Sequence, residues 1–126
     1  DAQGATLEGV KASVQSAATL VYGKALIQGE QKTATADITE GSGTIKVVYG
    51  YPEGTSTTLQ GILDLDADEW DFTDDASTSP TPEGVVAITP KDIAYTETAA
   101  DACQVLYTEA QNEGEKPLIE VQAQGC

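Results

Sequence analysis

Apolar residues in the first quarter of the chain recur at a helical period. Leu7, Val10, Val14, Ala17, Val21 and Ala25 step by 3, 4, 3, 4 and 4 residues, which lays a narrow apolar stripe down one face of a helix over residues 3–28. Ala5, Ala12, Ser13, Ser16, Ala18 and Thr19 flank the stripe, and side chains this small let another backbone approach closely. A strand fits badly, because strict alternation would put Val10 and Val14 on the same face as Glu8 and Ser16. Gly29 supplies a stop. At 1.5 Å per residue the helix would run about 39 Å. Gly4, Gly9 and Gly23 each weaken it by up to about 1 kcal/mol relative to Ala, so packing has to hold it.

Beyond Gly29 the period changes. Residues 30–43 are polar and Thr-rich and read as a connecting loop. Residues 43–50 put Ile45, Val47 and Tyr49 on one face of a strand that ends at Gly50 and Pro52. Val85–Thr89 is a β-branched strand between Gly84 and Pro90, residues 103–109 are a third, and residues 118–123 a fourth, with Ile119, Val121 and Ala123 alternating against Glu120, Gln122 and Gln124. Residues 110–117, rich in Gly, Asn and charge, join the last two as a hairpin. Between the first two strands, Leu59, Ile62, Leu63 and Asp66 fall at i, i+3, i+4 and i+7. A short helix with Thr57 or Thr58 as N-cap is favoured there over a strand. There is no internal repeat. The expected fold is α+β: one domain over residues 1–126, with the long helix in residues 1–29 and a four-stranded antiparallel sheet and its loops in residues 44–123.

Charge and composition narrow the function. The chain has 126 residues, 6 Lys, no Arg and 21 Asp plus Glu, a net charge of −15. With 40% hydrophobic residues it can still build a core. Nucleic acid is a poor partner, since Lys11, Lys24, Lys32, Lys46, Lys91 and Lys116 are scattered over a negative background, and anionic membrane surfaces are disfavoured for the same reason. The absence of His removes Ser-His-Asp and Cys-His catalysis and mixed Cys-His zinc sites. Without a nucleophile motif or a cofactor fingerprint, an enzyme is not expected. No run of about 18 apolar residues marks a membrane span. Cys103 and Cys126 are the only cysteines and have 22 residues between them. A disulfide in an oxidising compartment is preferred over two free thiols. Its loop closure would contribute about 3 to 4 kcal/mol.

One run is chemically suggestive. Asp64, Asp66 and Asp68 have the 1, 3, 5 spacing of a calcium loop, and Asp75 falls at position 12. Against it, position 6 is Glu69 rather than Gly, and position 12 is the shorter Asp. A solvated acidic patch is the plainer reading. Tyr49 and Tyr51, with Trp70, are candidates to line a sugar site, although strand-end tyrosines pack readily as core or rim aromatics.

The segments Leu-Glu-Gly-Val-Lys-Ala-Ser-Val (7–14), Leu-Val-Tyr-Gly-Lys-Ala (20–25), Val-Tyr-Gly-Tyr-Pro (48–52), Cys-Gln-Val-Leu-Tyr-Thr-Glu-Ala (103–110) and the terminal Gly-Cys resemble the type IV pilins, and most closely the mannose-sensitive haemagglutinin branch. The resemblance covers nearly the whole chain, with residues 30–42 and 66–84 carrying little of it. It implies a subunit of a thin, non-covalent bacterial surface filament, held in the inner membrane before assembly, and a long helix packed on an antiparallel sheet. It also implies a disulfide closing the C-terminal region, at Cys103 and Cys126. The family's apolar N-terminal half-helix does not appear ahead of Asp1, so the resemblance implies a soluble head that meets the membrane only through that segment. The implied partners are copies of the same chain and the pilus assembly machinery, with no cofactor required. The competing reading is an extracellular calcium- or glycan-binding module built on residues 64–75.

Overall fold

The stripe of residues 7–25 can be buried only if something lies along its whole length, and two sheets do so. The computed structural model describes residues 2–126, with side chains from Thr6 onward. The expected side chain of Ala5 therefore lies outside the described residues. Helix α1 runs from Ala2 to Gln28. It ends at Gly29, whose φ of 77° is open to a residue without Cβ. The Glu30 N–H returns to the Ala25 carbonyl at 2.9 Å, the six-to-one bond of a glycine-terminated helix.

Strands β1 (Ala36–Glu40), β2 (Gly43–Val48) and β3 (Tyr51–Pro52) form an antiparallel sheet in that order. Helix α2 (Ser56–Ile62) follows, and then β4 (Trp70–Thr73), β5 (Val85–Pro90), β6 (Gln104–Thr108) and β7 (Leu118–Gln122) form a second antiparallel sheet, again in chain order. The α+β class, the long helix and a four-stranded antiparallel sheet are as expected. The membership of that sheet is corrected. The expected strand at residues 43–50 belongs to the three-stranded sheet, and β4 takes the fourth place. Residues 30–43, expected as loop, contain β1. Only Ile38 of β1 is fully buried, with the small Ala36 partly buried beside the same cluster, so its sequence carries one large apolar position and no clear alternation.

Helix α2 starts earlier than expected. Thr55, not Thr57 or Thr58, is its N-cap, with its hydroxyl accepting the Thr58 N–H at 3.4 Å. The helix also stops at Ile62, so Asp66 does not share its face. The 110–117 hairpin holds: β6 and β7 pair from Gln104↔Gln122 to Thr108↔Leu118.

Among the described residues the core divides in two. Leu7, Val10 and Val14 of α1 pack with Leu59, Leu63, Trp70, Val86, Ile88, Cys103, Val105 and Tyr107 over the four-stranded sheet. Val21 and Ala25 pack with Ile38 and Val47 over the three-stranded one. Ile62 touches both clusters. The buried Tyr107 hydroxyl donates to the Pro52 carbonyl at 2.6 Å, which ties β6 to β3. Glu109 adds a second tie by accepting the Gly54 N–H at 2.9 Å. A Cβ at Gly54 would collide with the Gly84 carbonyl, so this close crossing requires glycine.

The outer edge of β1 is met by a side chain. Gln28 donates its amide to the Thr39 carbonyl at 2.9 Å and accepts the Thr39 N–H at 2.8 Å.

Candidate functional site

The long helix presents two faces of different character. Leu7, Val10, Val14, Val21 and Ala25 are buried as the periodicity predicts, while Ala17 is half-buried and Ala18 takes its place in the stripe at 3% exposure. The shift follows from the 3.6-residue turn, since a 4, 3, 4 step from Val14 to Ala25 through Ala18 and Val21 keeps the same face inward. On the other side Ala12, Ser13, Ser16 and Thr19 are exposed. So are Leu20 and Ile27, at 62% and 87%. Large apolar side chains this open lie outside either core cluster. Lys24, beside them, is paired with Glu40.

Against the larger core cluster, Cys103 and Cys126 form the expected disulfide, with Cα atoms 4.7 Å apart. Cys103 is buried immediately before β6. Gly125 donates its N–H to the Ala102 carbonyl at 2.8 Å, and a Cβ there would strike the Asp101 carbonyl. The C-terminus is thus clamped by backbone as well as by sulfur.

The aspartates singled out for calcium are not brought together. Asp66 accepts the Asp68 N–H on its own side chain at 2.8 Å, and its carbonyl takes the N–H groups of Glu69 and Trp70, so Asp64, Asp66 and Asp68 flank a tight turn. Residues 70–73 of the supposed loop are strand β4, paired with β5 from Trp70↔Pro90 to Thr73↔Ala87, and Asp75 lies beyond it. A 12-residue loop cannot wrap an ion while its second half is an extended strand. Among the described residues no group of three or more acidic or cysteine side chains is gathered for a metal.

The aspartate that organises this region is Asp74, which the spacing did not single out. It accepts the Ser56 N–H at 2.8 Å and the Ala76 N–H at 3.0 Å. These backbone donors, Ser56 first, hold its carboxyl below the usual carboxylate range against the opposing effect of burial. The available signal was Asp74-Asp-Ala-Ser77, an Asx-type turn pattern. Asp71, within β4, accepts the Asp92 N–H at 3.0 Å and pairs with Lys91 at 3.1 Å. The Asp92 N–H first, and then Lys91, hold its carboxyl low too.

The three aromatics proposed for sugar binding are separated. Trp70 lies in the larger core cluster. Tyr51 stacks on Tyr22 of the helix with ring centroids 4.4 Å apart and planes 20° from parallel. Tyr49 turns in a left-handed conformation, φ 50°, with its N–H on the Thr33 carbonyl. Tyr22 was the unforeseen partner, because nothing in the chain's spacing joins residue 22 to residue 51.

No described helix is long and apolar enough to cross a membrane. No family model, curated protein or solved structure matches this chain.

Proposed function

We propose that this chain is the head domain of a type IV pilin, an extracellular structural subunit that packs with copies of itself into a bacterial surface filament for attachment, adhesion or motility. The resemblance of its segments to that family supports the reading. The observation that carries it is the two-faced helix. One face of α1 is covered by both sheets, while the other leaves Leu20, Leu26 and Ile27 exposed at 62%, 47% and 87%, an arrangement suited to side-by-side packing. In this reading the helix is shared between the subunit's own core and its neighbours, and the loops face the medium. The net charge of −15 makes subunits repel, so filaments should tighten as ionic strength rises.

The test is mass spectrometry of filaments sheared from cells that produce the chain. Recovery of its peptides in the filament fraction, with an apolar segment of about 20 residues joined ahead of Asp1, supports a subunit. Recovery only as a free protein starting at Asp1 rejects it. Light scattering of the filaments with no response to salt would reject the charge argument separately.

A further inference from the structure

The side chains that oxidants attack most readily are missing from this chain or withdrawn from its surface. It has no Met and no His, and both cysteines are joined in the disulfide, so the usual sulfur targets are absent. Trp70 lies in the larger core cluster and Tyr107 is fully buried. What remains within reach of an oxidant is Tyr22, Tyr49, Tyr51 and Tyr95, all half-buried.

Two of these tyrosines stand against each other. The rings of Tyr22 and Tyr51 stack with centroids 4.4 Å apart and planes 20° from parallel, at the close end of the range for aromatic pairs, about 4.5–7 Å. The fold fixes both partners. Tyr22 belongs to α1 and Tyr51 opens β3, and the Gly50 backbone also lies on Tyr22, since a Cβ there would stand 2.9 Å from Cδ1 of its ring. The pair is reachable from outside: Tyr51 lines a surface pocket of about 230 Å³ between the helix and the end of the 110–117 hairpin, beside Lys116 and Pro117. Among the described residues this is the only stacked pair, so a radical formed on Tyr49 or Tyr95 has no stacked ring of the same chain to meet.

We infer that Tyr22 and Tyr51 form a site of oxidative cross-linking, joined as dityrosine by a one-electron oxidant of the peroxidase class. The Tyr51 phenol is pushed up by burial and by the Tyr22 phenol, so it is neutral at physiological pH and releases its proton as the electron leaves. Each phenol gives one electron to the oxidant and one proton to water. The two phenoxyl radicals, whose spin is spread onto the ring carbons ortho to oxygen, meet face to face and form one C–C bond between those carbons. The hydrogens on the joined carbons then shift to the oxygens, which restores both phenols. With hydrogen peroxide and a haem peroxidase as the oxidant, one peroxide takes up the two electrons and two protons and leaves as two waters. The new bond ties the C-terminal half of α1 to the three-stranded sheet, whose own core is the small cluster of Val21, Ala25, Ile38 and Val47. It forms within one chain, so it stands apart from filament assembly.

The experiment oxidises the dilute, disulfide-intact chain with a haem peroxidase and hydrogen peroxide. A parallel sample receives a photoexcited ruthenium tris-bipyridyl complex with persulfate, which is small enough to need no docking. Dityrosine fluorescence and intact mass are followed, and the product is mapped by protease digestion and tandem mass spectrometry. The expected product is a monomer lighter by two hydrogens, in which the peptide holding Tyr22 is joined to the one holding Tyr51. Tyr22→Phe and Tyr51→Phe each keep a ring to stack and should lose this product, while Tyr49→Phe and Tyr95→Phe should form it as the parent does. The joined chain should melt above the parent, because a second covalent loop restricts the unfolded state. The proposal is overturned if neither oxidant yields that monomer, if the bond joins another pair of tyrosines, or if only chain-to-chain dimers form. It is equally overturned if Tyr51→Phe still gives the intrachain product, or if the joined chain melts no higher than the parent.

Discussion

The two sheets under helix α1 are built to different standards. Strand β5 of the four-stranded sheet is buried from Val86 to Thr89 on both faces, with the helix on one side. On the other, Gln104, fully buried, bonds Thr96 on the adjoining loop through both its N–H and its carbonyl. The three-stranded sheet presents one inner face, where Ile38 and Val47 meet Val21 and Ala25, and leaves most of β1 exposed. One helix therefore joins a deep core and a shallow one. Burial of this kind sets local stability. The C-terminal half of α1, which carries the exposed Leu20, Leu26 and Ile27, rests on the weaker support, and this is the half best able to adjust to a neighbour.

The comparison can be broken at its joint. Tyr107 fills the larger cluster and holds β3 through Pro52. Tyr107→Ala should cost about 3 to 5 kcal/mol in urea denaturation. Tyr107→Phe keeps the ring and should cost about 1 to 2 kcal/mol, with amide exchange quickening in β2 and β3 first. A neutral Tyr107→Phe variant would mean that the two sheets do not communicate through this bond.

Reduction of Cys103–Cys126 comes next. Loop closure over a separation of 23 residues contributes about 3 to 4 kcal/mol. The thermal midpoint should fall, with exchange faster in β6 and β7 and unchanged in β1 and β2. Equal midpoints with and without reductant, in protein shown by mass to start oxidised, would contradict the clamp.

A smaller and more local effect is expected in the shallow core. Ile38→Val should cost about 1 kcal/mol, read as faster exchange in β1 and β2 with β5 and β6 unmoved. If β5 responds equally, the two cores unfold as one unit and the contrast between them fails.

Smallest is the charge at Asp74. Its folded pKa is depressed, so its contribution is present above the ordinary value of 3.8 and is lost as pH falls through the folded value. Asp74→Asn should lower the midpoint at neutral pH by the equivalent of about 1 kcal/mol or less. The gap to the parent should close in acid. A gap that stays constant down to about pH 2 would show that the aspartate acts by shape and not by charge.

How much of this the chain revealed depends on how many apolar positions each element carries. The helix stripe was legible because its buried residues repeat at one period, β5 and β6 because each is a short apolar, β-branched run, and the 110–117 hairpin because Gly, Asn and charge separate two such runs. Strand β1 was not, since Ile38 alone is buried in it and pairing with β2 decides its state. For residues 64–75 the motif spacing pointed to a loop, whereas the Trp70 and Phe72 alternation, packed on the core, made a strand. The 77–79 and 92–95 loops are 13 or more residues apart and line one surface groove only because β5 returns the chain beside β4.

The amide of Gln28 on the edge of β1 bears on colloidal behaviour. A free strand edge is a template on which another chain can add by backbone pairing. By occupying both polar groups of Thr39, Gln28 acts as a stub one residue long that ends the sheet there. The last turn of the helix thereby guards the thinnest part of the molecule against uncontrolled growth, and a concentrated solution of Gln28→Ala protein should be the first to turn cloudy.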